Sequence, residues 1–374
     1  MAKLFEPFAL RDLKLANRIV IPPMCMYSAV NGNATEWHFL HYGHLAFSGA
    51  GLLIIEATAV AEEGRITHDC MGLWSDENEE ALSRLVLKIR EHSDIPIGIQ
   101  LGHAGRKASV QSRLVGNGPL SPDQGAWETF GPSAKSFSEK WPTPTEIDRA
   151  KMDEIVAQYR KATERAERIG FDMIEIHSAH GYLLSEFLSP LANERQDDYG
   201  GSLANRMRFP LEVFDAVRAE LPKQKPLGVR INGTDWHEGG IDPEEAVRYA
   251  RALKDHDCDY IDVSSGGNAY VKINTFPGYQ VPYASMIQKR VGLSTIAVGL
   301  IREPQQAEDI LNEGSADLIA IGRGMLNNPR WPWNAAEDFN AEISIPAQYG
   351  RALSRKGLPS AWMLADDKVR SSNG

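Results

Sequence analysis

Two histidines, His177 and His180, stand three residues apart just beyond the apolar run Met173-Ile174-Glu175-Ile176. That spacing puts both rings on one side of a helical turn. There they can share a metal ion, donate two hydrogen bonds to one oxyanion, or serve as structural side chains. Zinc needs a third ligand, for which His103 is the candidate; spacing alone leaves the three readings open. Arg230 lies at the end of another apolar run, Leu227-Gly228-Val229-Arg230-Ile231, where a charge needs a partner. Gly299, and Gly322 followed by Arg323, close two further runs. Bare backbone N–H groups beside a guanidinium are the means by which strand-end loops bind phosphate. Cys25 reads as a small buried hydrophobe before a reactive thiol. Tyr27 and Tyr182 read as aromatic packing or site residues, and Gln100 as a polar group satisfying a neighbour.

These residues follow short runs rich in β-branched side chains. Eight such runs occur, at 19–21, 52–55, 95–99, 173–176, 227–231, 260–263, 295–298 and 318–321. Near-continuous apolarity without alternation marks strands buried on both faces of a parallel sheet. Helical segments lie between them. Ser75 caps one that carries Leu82, Leu85, Val86 and Ile89; Met152 to Ala166 form another, closed by Gly170. Asp242-Pro243-Glu244-Glu245 opens a third with an N-cap and a capping-box glutamate, and Ala307 to Leu311 end at Gly314. Pro210 predicts a kink or break within 203–221. Eight strands alternating with helices predict a (β/α)8 TIM barrel, an α/β fold, whose strand C-termini carry the chemistry. Residues 1–17 predict an N-terminal hairpin. Residues 103–148, after strand three, are too long for an ordinary βα loop and predict a lid insertion. One domain spans 1–374, with a flexible tail at 366–374.

Forty Lys and Arg against fifty Asp and Glu give a net charge of -10, which argues against nucleic acid as a partner. No apolar run is long enough to span a membrane, and the N-terminus lacks a secretory signal, so a cytoplasmic location is expected. Cys25, Cys70 and Cys258 are too dispersed for a disulfide framework or a cluster motif. Asp198 to Arg206 reads as a turn and helix cap without chemistry.

With Leu4-Phe5-Glu6-Pro7, Pro23-Met24-Cys25-Met26-Tyr27, Glu56-Ala57-Thr58-Ala59-Val60, His103-Ala104-Gly105-Arg106-Lys107, His177-Ser178-Ala179-His180-Gly181-Tyr182-Leu183, Tyr199-Gly200-Gly201-Ser202, Phe276-Pro277-Gly278-Tyr279-Gln280-Val281 and Gly322-Arg323 in order, the chain resembles the Old Yellow Enzyme family. These are FMN-dependent ene reductases, and the likeness is to their bacterial, thermophilic-like class with a cysteine at the flavin. The resemblance implies a (β/α)8 barrel, non-covalent FMN, NADPH or NADH as reductant, and activated alkenes as substrates. It places Pro22, Pro23, Met24 and Cys25 along the flavin, Ala57 at its edge and Gln100 at its pyrimidine side. Arg230 falls by N1 and the C2 oxygen, and Gly299, Gly322 and Arg323 at the phosphate. His177 and His180 would then bind the substrate carbonyl, Tyr182 would donate a proton and Tyr27 would hold the substrate. Relatives ending Gln-Tyr-Glu-Arg-Gly-Trp send that arginine into a neighbouring subunit's site. Arg351, in Gln348-Tyr349-Gly350-Arg351-Ala352-Leu353, matches it and implies a homodimer or homotetramer. Two other readings are a metal-dependent barrel hydrolase using His177, His180 and His103, and a non-catalytic flavoprotein that senses electrophiles through Cys25.

Overall fold

The eight apolar runs pair side by side in chain order, and the last returns to the first. The structure is a computed structural model that describes residues 2–116 and 118–350. A hairpin of β1 (Phe8–Leu10) and β2 (Leu13–Leu15) precedes the barrel strands β3 (Ile19–Ile21), β4 (Leu52–Ala59) and β5 (Ile97–Gly102). A two-residue pair, β6 (Phe130–Gly131) and β7 (Thr145–Glu146), lies in the segment after β5. The barrel continues with β8 (Met173–Ser178), β9 (Leu227–Asn232), β10 (Tyr260–Ser264), β11 (Ser294–Ala297) and β12 (Leu318–Ala320), and β12 closes on β3. All eight barrel pairings are parallel.

Among the described residues ten α-helices follow or join these strands: α1 (Glu36–Ala46), α2 (Asp76–Arg90), α3 (Arg149–Ile169), α4 (Leu183–Leu188), α5 (Leu203–Glu220), α6 (Pro243–Asp255), α7 (Val281–Val291), α8 (Pro304–Asn312), α9 (Arg323–Asn327) and α10 (Trp331–Asp338). Caps set several starts. The Ser75 side chain accepts from Asn78 N at 3.2 Å, and Asp242 Oδ1 from Glu245 N at 2.8 Å. Gly170 ends α3 at φ 90°, a conformation glycine adopts without steric cost.

Two local expectations fail. α5 runs unbroken through Pro210, which is buried with Phe209 and Val213, so tertiary packing outweighs the missing backbone donor. At α6 the capping box is half made. The Glu245 carboxylate turns away from Asp242 to pair with the buried Arg206 of α5.

The parallel register stacks the barrel interior in layers. At the N-terminal end Leu10 and Leu15 of the hairpin pack with Val20, Leu52, Ile54 and Met173 from the strands, so the hairpin forms an apolar floor. Above it the inward side chains turn polar. Gln100 lies opposite Glu175 across β5 and β8, and Arg230 lies between His177 of β8 and Asp262 of β10. Gly228 faces inward at the level of Glu175, where a Cβ would fall 2.1 Å from the Tyr260 ring. Its missing side chain is what admits that ring. No described helix is long and apolar enough to cross a membrane. Arg351 and the tail 366–374 lie outside the described residues.

Leu15 is 1% exposed, whereas Leu13 is half-buried. Truncation of Leu15 to alanine is expected to destabilise the fold by about 2–5 kcal/mol. Leu13→Ala should cost less. Thermal unfolding reads both; a wild-type midpoint for Leu15→Ala would deny the hairpin its role as the floor.

Candidate active site

The polar interior opens at the C-terminal ends of the strands. His177 is the penultimate residue of β8; the chain then turns through Ala179 to Tyr182 before α4. The helical turn expected for 177–180 is absent. His180 instead sits at φ 60° and Gly181 at φ 70°. That left-handed corner is held from both sides. His180 N donates to Asn232 Oδ1 at 3.0 Å, and Gly181 lies so close to Gly267 that a Cβ on it would stand 2.0 Å from the Gly267 oxygen. Strain confined to one corner of a site, and fixed by its surroundings, pre-positions side chains.

Here it aims the rings at one another. His180 Nδ1 and His177 Nε2 are 3.3 Å apart. His177 Nδ1 accepts from Ala179 N at 3.2 Å, so Nε2 is the nitrogen that carries its proton. His180 Nε2 lies 2.6 Å from Ser264 Oγ, a hydroxyl able to donate or accept. The Ser264 hydroxyl donates to Gln280 Oε1 at 3.3 Å; if it turns to donate to His180 Nε2 instead, His180 carries its own proton on Nδ1 and both rings can donate to one oxygen placed between them. Burial, together with the positive charges of Arg230 and Lys107, holds both imidazoles well below their ordinary range, so they are neutral at neutral pH.

His103 does not join them. Its Nδ1 accepts from Gly105 N at 3.1 Å, and among the described residues no three His, Cys, Asp or Glu side chains are placed to hold a metal ion. The three-histidine metal site is therefore corrected.

Tyr182 stands edge-on to His177, ring centroids 4.9 Å apart. Burial raises its phenol well above the ordinary value, and it raises Tyr27 likewise, so both keep their protons. Tyr27 and Tyr182 line a cavity of about 790 Å3 together with Lys107, Arg113, Phe137 and Trp141, four residues of the segment after β5. Lys107 had no assigned role in the sequence. It donates from Nζ to the carbonyls of His180, at 2.6 Å, and Gly267, at 3.0 Å, and lies 5.0 Å from the Tyr182 ring centroid. Burial lowers its pKa to about 8. Among the described residues Arg113 makes no ion pair and no carboxylate lines this cavity.

The strand ends assemble the remaining candidates. Pro22 to Tyr27 leave β3 and are tied to β4 by Met26 N, which donates to Glu56 Oε2 at 2.6 Å. Glu56 is buried beside His38, and its role was also missed in the sequence, because no local pattern links the two strands. Ala57 shares a small hollow with His177 and Tyr182. Cys25 is half-buried, not fully buried as the sequence suggested, and desolvation pushes its thiol well above the ordinary range. Gly322 lies against Met24 and Pro22, where a Cβ would stand 3.5 Å from the Met24 sulfur. Gly299 follows β11, and Arg323 follows β12 without a hydrogen bond or ion pair among the described residues.

Arg230 lies within β9, which runs two residues beyond it. Its Nε is 3.2 Å from Asp262 Oδ2, yet among the described residues that buried N–H makes no aligned hydrogen bond. Gln100 donates from Nε2 to Glu175 at 2.8 Å, which leaves its carbonyl oxygen free. A guanidinium, a free amide oxygen and bare glycines at adjoining strand ends fit a flavin mononucleotide. The first two match the pyrimidine ring's alternating acceptors and donor, and the last match its phosphate.

The profile of the NADH:flavin oxidoreductase / NADH oxidase family matches residues 3–342. An NADPH dehydrogenase of Geobacillus sp. (strain WCH70) is 45% identical over 350 residues, 93% of this chain and 98% of the relative. An NADPH dehydrogenase of Bacillus subtilis (strain 168) is 43% identical over 351 residues, 93% of this chain and 98% of the relative. Among solved structures, morphinone reductase superposes with a TM-score of 0.76 at 28% identity, over 91% of this chain and 90% of its own. Morphinone reductase in complex with tetrahydroNAD gives 0.73 at 28% identity, over 92% of both chains.

Both histidines are expected to hold constant ring 15N shifts from about pH 8 to about pH 5.5, since an ordinary histidine titrates near 6.5. The unfolded chain does bind those protons, so fold stability should fall as pH drops below about 6.5. A titration of either ring near 6.5 would contradict the buried, neutral pair.

Proposed function

Because the chain belongs to the NADH:flavin oxidoreductase / NADH oxidase family, we propose that it is an ene reductase acting on α,β-unsaturated carbonyl compounds. It is an Old Yellow Enzyme-type flavin oxidoreductase that uses FMN with a nicotinamide reductant. Bound FMN would supply the hydride transfer that connects the nicotinamide to the alkene β-carbon. The observation that carries the alkene reading is the convergence of His177 Nε2 and His180 Nδ1, 3.3 Å apart, next to the Tyr182 ring.

In this reading the two histidines donate to the substrate carbonyl oxygen. Neutral donors suit that task, because their bonds strengthen as enolate charge grows and so favour the transition state over the ground state. Ser264, turning its hydroxyl from Gln280 Oε1 to His180 Nε2, sets His180 in the tautomer that donates. Tyr182, kept protonated, gives its proton to the α-carbon, and Lys107 steadies the corner that carries it. Tyr27 holds the substrate from the facing loop. Pro22, Pro23, Met24, Cys25 and Ala57 would contact the flavin ring, with Gln100 and Arg230 at its pyrimidine side and Gly299, Gly322 and Arg323 at its phosphate. Residues 103–148 act as a lid over one site that nicotinamide and alkene occupy in turn, which implies ping-pong kinetics. The whole chain is one domain, and a homodimer or homotetramer is proposed with it.

Tyr182→Phe separates the roles. Alkene reduction should slow by about 10²–10⁴-fold. Reduction of the flavin by NADPH should stay near the wild-type rate, since that step moves no proton through Tyr182. Anaerobic stopped-flow absorbance reads each half-reaction. Equal loss in both would reduce Tyr182 to a structural residue, and no loss in either would remove it from the chemistry.

A further inference from the structure

Beneath the mouth of the barrel lie three side chains that carry charge in water: Glu175, Asp262 and Arg230, at 0%, 1% and 8% exposure. Asp262 and Arg230 face each other in register, with Oδ2 and Nε 3.2 Å apart. Glu175 has no such partner. Its Oε1 accepts from Gln100 Nε2 at 2.8 Å, and its Oε2 lies 3.2 Å from Tyr260 Oη, both neutral groups. The titratable and charged groups facing it are Tyr260 of β10 at its own level and, one level up, Asp262 of β10, Arg230 of β9 and His177 of β8, which is neutral. These two adjoining levels, the charged layer of the barrel, thus hold one guanidinium and two carboxyls. One carboxylate neutralises the guanidinium; a second would be a buried charge without compensation, and such a group takes a proton instead.

We propose that Glu175 is a protonated carboxylic acid at neutral pH, and that its proton leaves the charge of Arg230 available to stabilise reduced flavin. With Glu175 neutral the layer sums to zero; with it ionised the layer carries a negative charge beneath the pyrimidine ring. Hydride arriving at FMN also brings negative charge, so ionised Glu175 opposes reduction and protonated Glu175 does not. Protonated on Oε2, Glu175 donates to Tyr260 Oη, and its Oε1 still takes the Gln100 amide, so the Gln100 carbonyl keeps its direction. Glu175 is then a positioning residue that acts through Arg230 and Gln100. Burial and repulsion from Asp262 agree, pushing its pKa up to about 8.

The flavin half of this inference rests on the function proposed above; the proton does not. Two measurements therefore test it separately. Infrared difference spectra of wild type against Glu175→Gln at pH 7 should show one protonated-carboxyl C=O stretch that the variant lacks. In wild type that band should fade as pH rises through about 8. This readout needs no bound FMN. In FMN-loaded protein, the flavin midpoint potentials of wild type and Glu175→Gln should run parallel up to about pH 8, above which the wild type falls more steeply. Should Glu175→Gln not fold, Asp262→Asn replaces it: Glu175 then becomes the partner of Arg230, and the band is lost at pH 7. The proposal is overturned if no such band is present in wild type at pH 7. It is equally overturned if Glu175→Gln raises the potential at pH 7, which would mean the carboxylate is ionised there. A chain that takes up no FMN yet shows the band would sink the function and keep the proton.

Discussion

A guanidinium cannot give up its proton, so a barrel that buries Arg230 must supply both a counter-charge and acceptors around it. The parallel register supplies the first. β9 places Arg230 between His177 and Asp262, and the Asp262 carboxylate balances its charge. The acceptors are incomplete, since among the described residues the Arg230 Nε–H, 3.2 Å from Asp262 Oδ2, makes no aligned hydrogen bond. With Nε turned to Asp262, the terminal nitrogens are the part of the guanidinium for which the pyrimidine edge of a flavin would supply acceptors. Much else follows from that charge. It helps hold both histidines neutral, and it leaves Glu175 without a cation of its own.

The mouth is arranged around the same centre by backbone as much as by side chains. Lys107 spends its donors on the carbonyls of His180 and Gly267, fixing the left-handed corner from which His180 faces His177. Glu56 ties the loop after β3 to β4, so the segment carrying Cys25 and Tyr27 is set by a strand that contributes no reacting group of its own. The segment after β5 adds aromatic and cationic walls in a protein whose net charge is -10. A locally basic cavity in an acidic molecule draws anionic ligands, nicotinamide dinucleotides among them, toward the site.

The fold was legible because its signals are local. Each barrel strand is a β-branched run, and Ser75 and Asp242 mark helix starts through bonds three residues long. Where the reading failed, a distant partner decided. Arg206 drew Glu245 out of its capping box, and packing carried α5 across Pro210. The site was legible in its strand-end histidines, glycines and arginine, since barrel chemistry gathers there. Lys107, Glu56 and the Glu175 layer were not. Their partners lie many residues away on other strands, loops and a helix, and a lone acid in an apolar run carries no sign of what it faces.

Absorbance spectroscopy of the purified protein, titrated without oxygen first by NADPH and then by 2-cyclohexenone, tests the central claim most directly. The account predicts a flavin band that bleaches with NADPH and returns with the enone. A protein that is colourless and takes up no FMN would contradict the cofactor and the site built around Arg230. A band that bleaches but is restored by no activated alkene would contradict the substrate class.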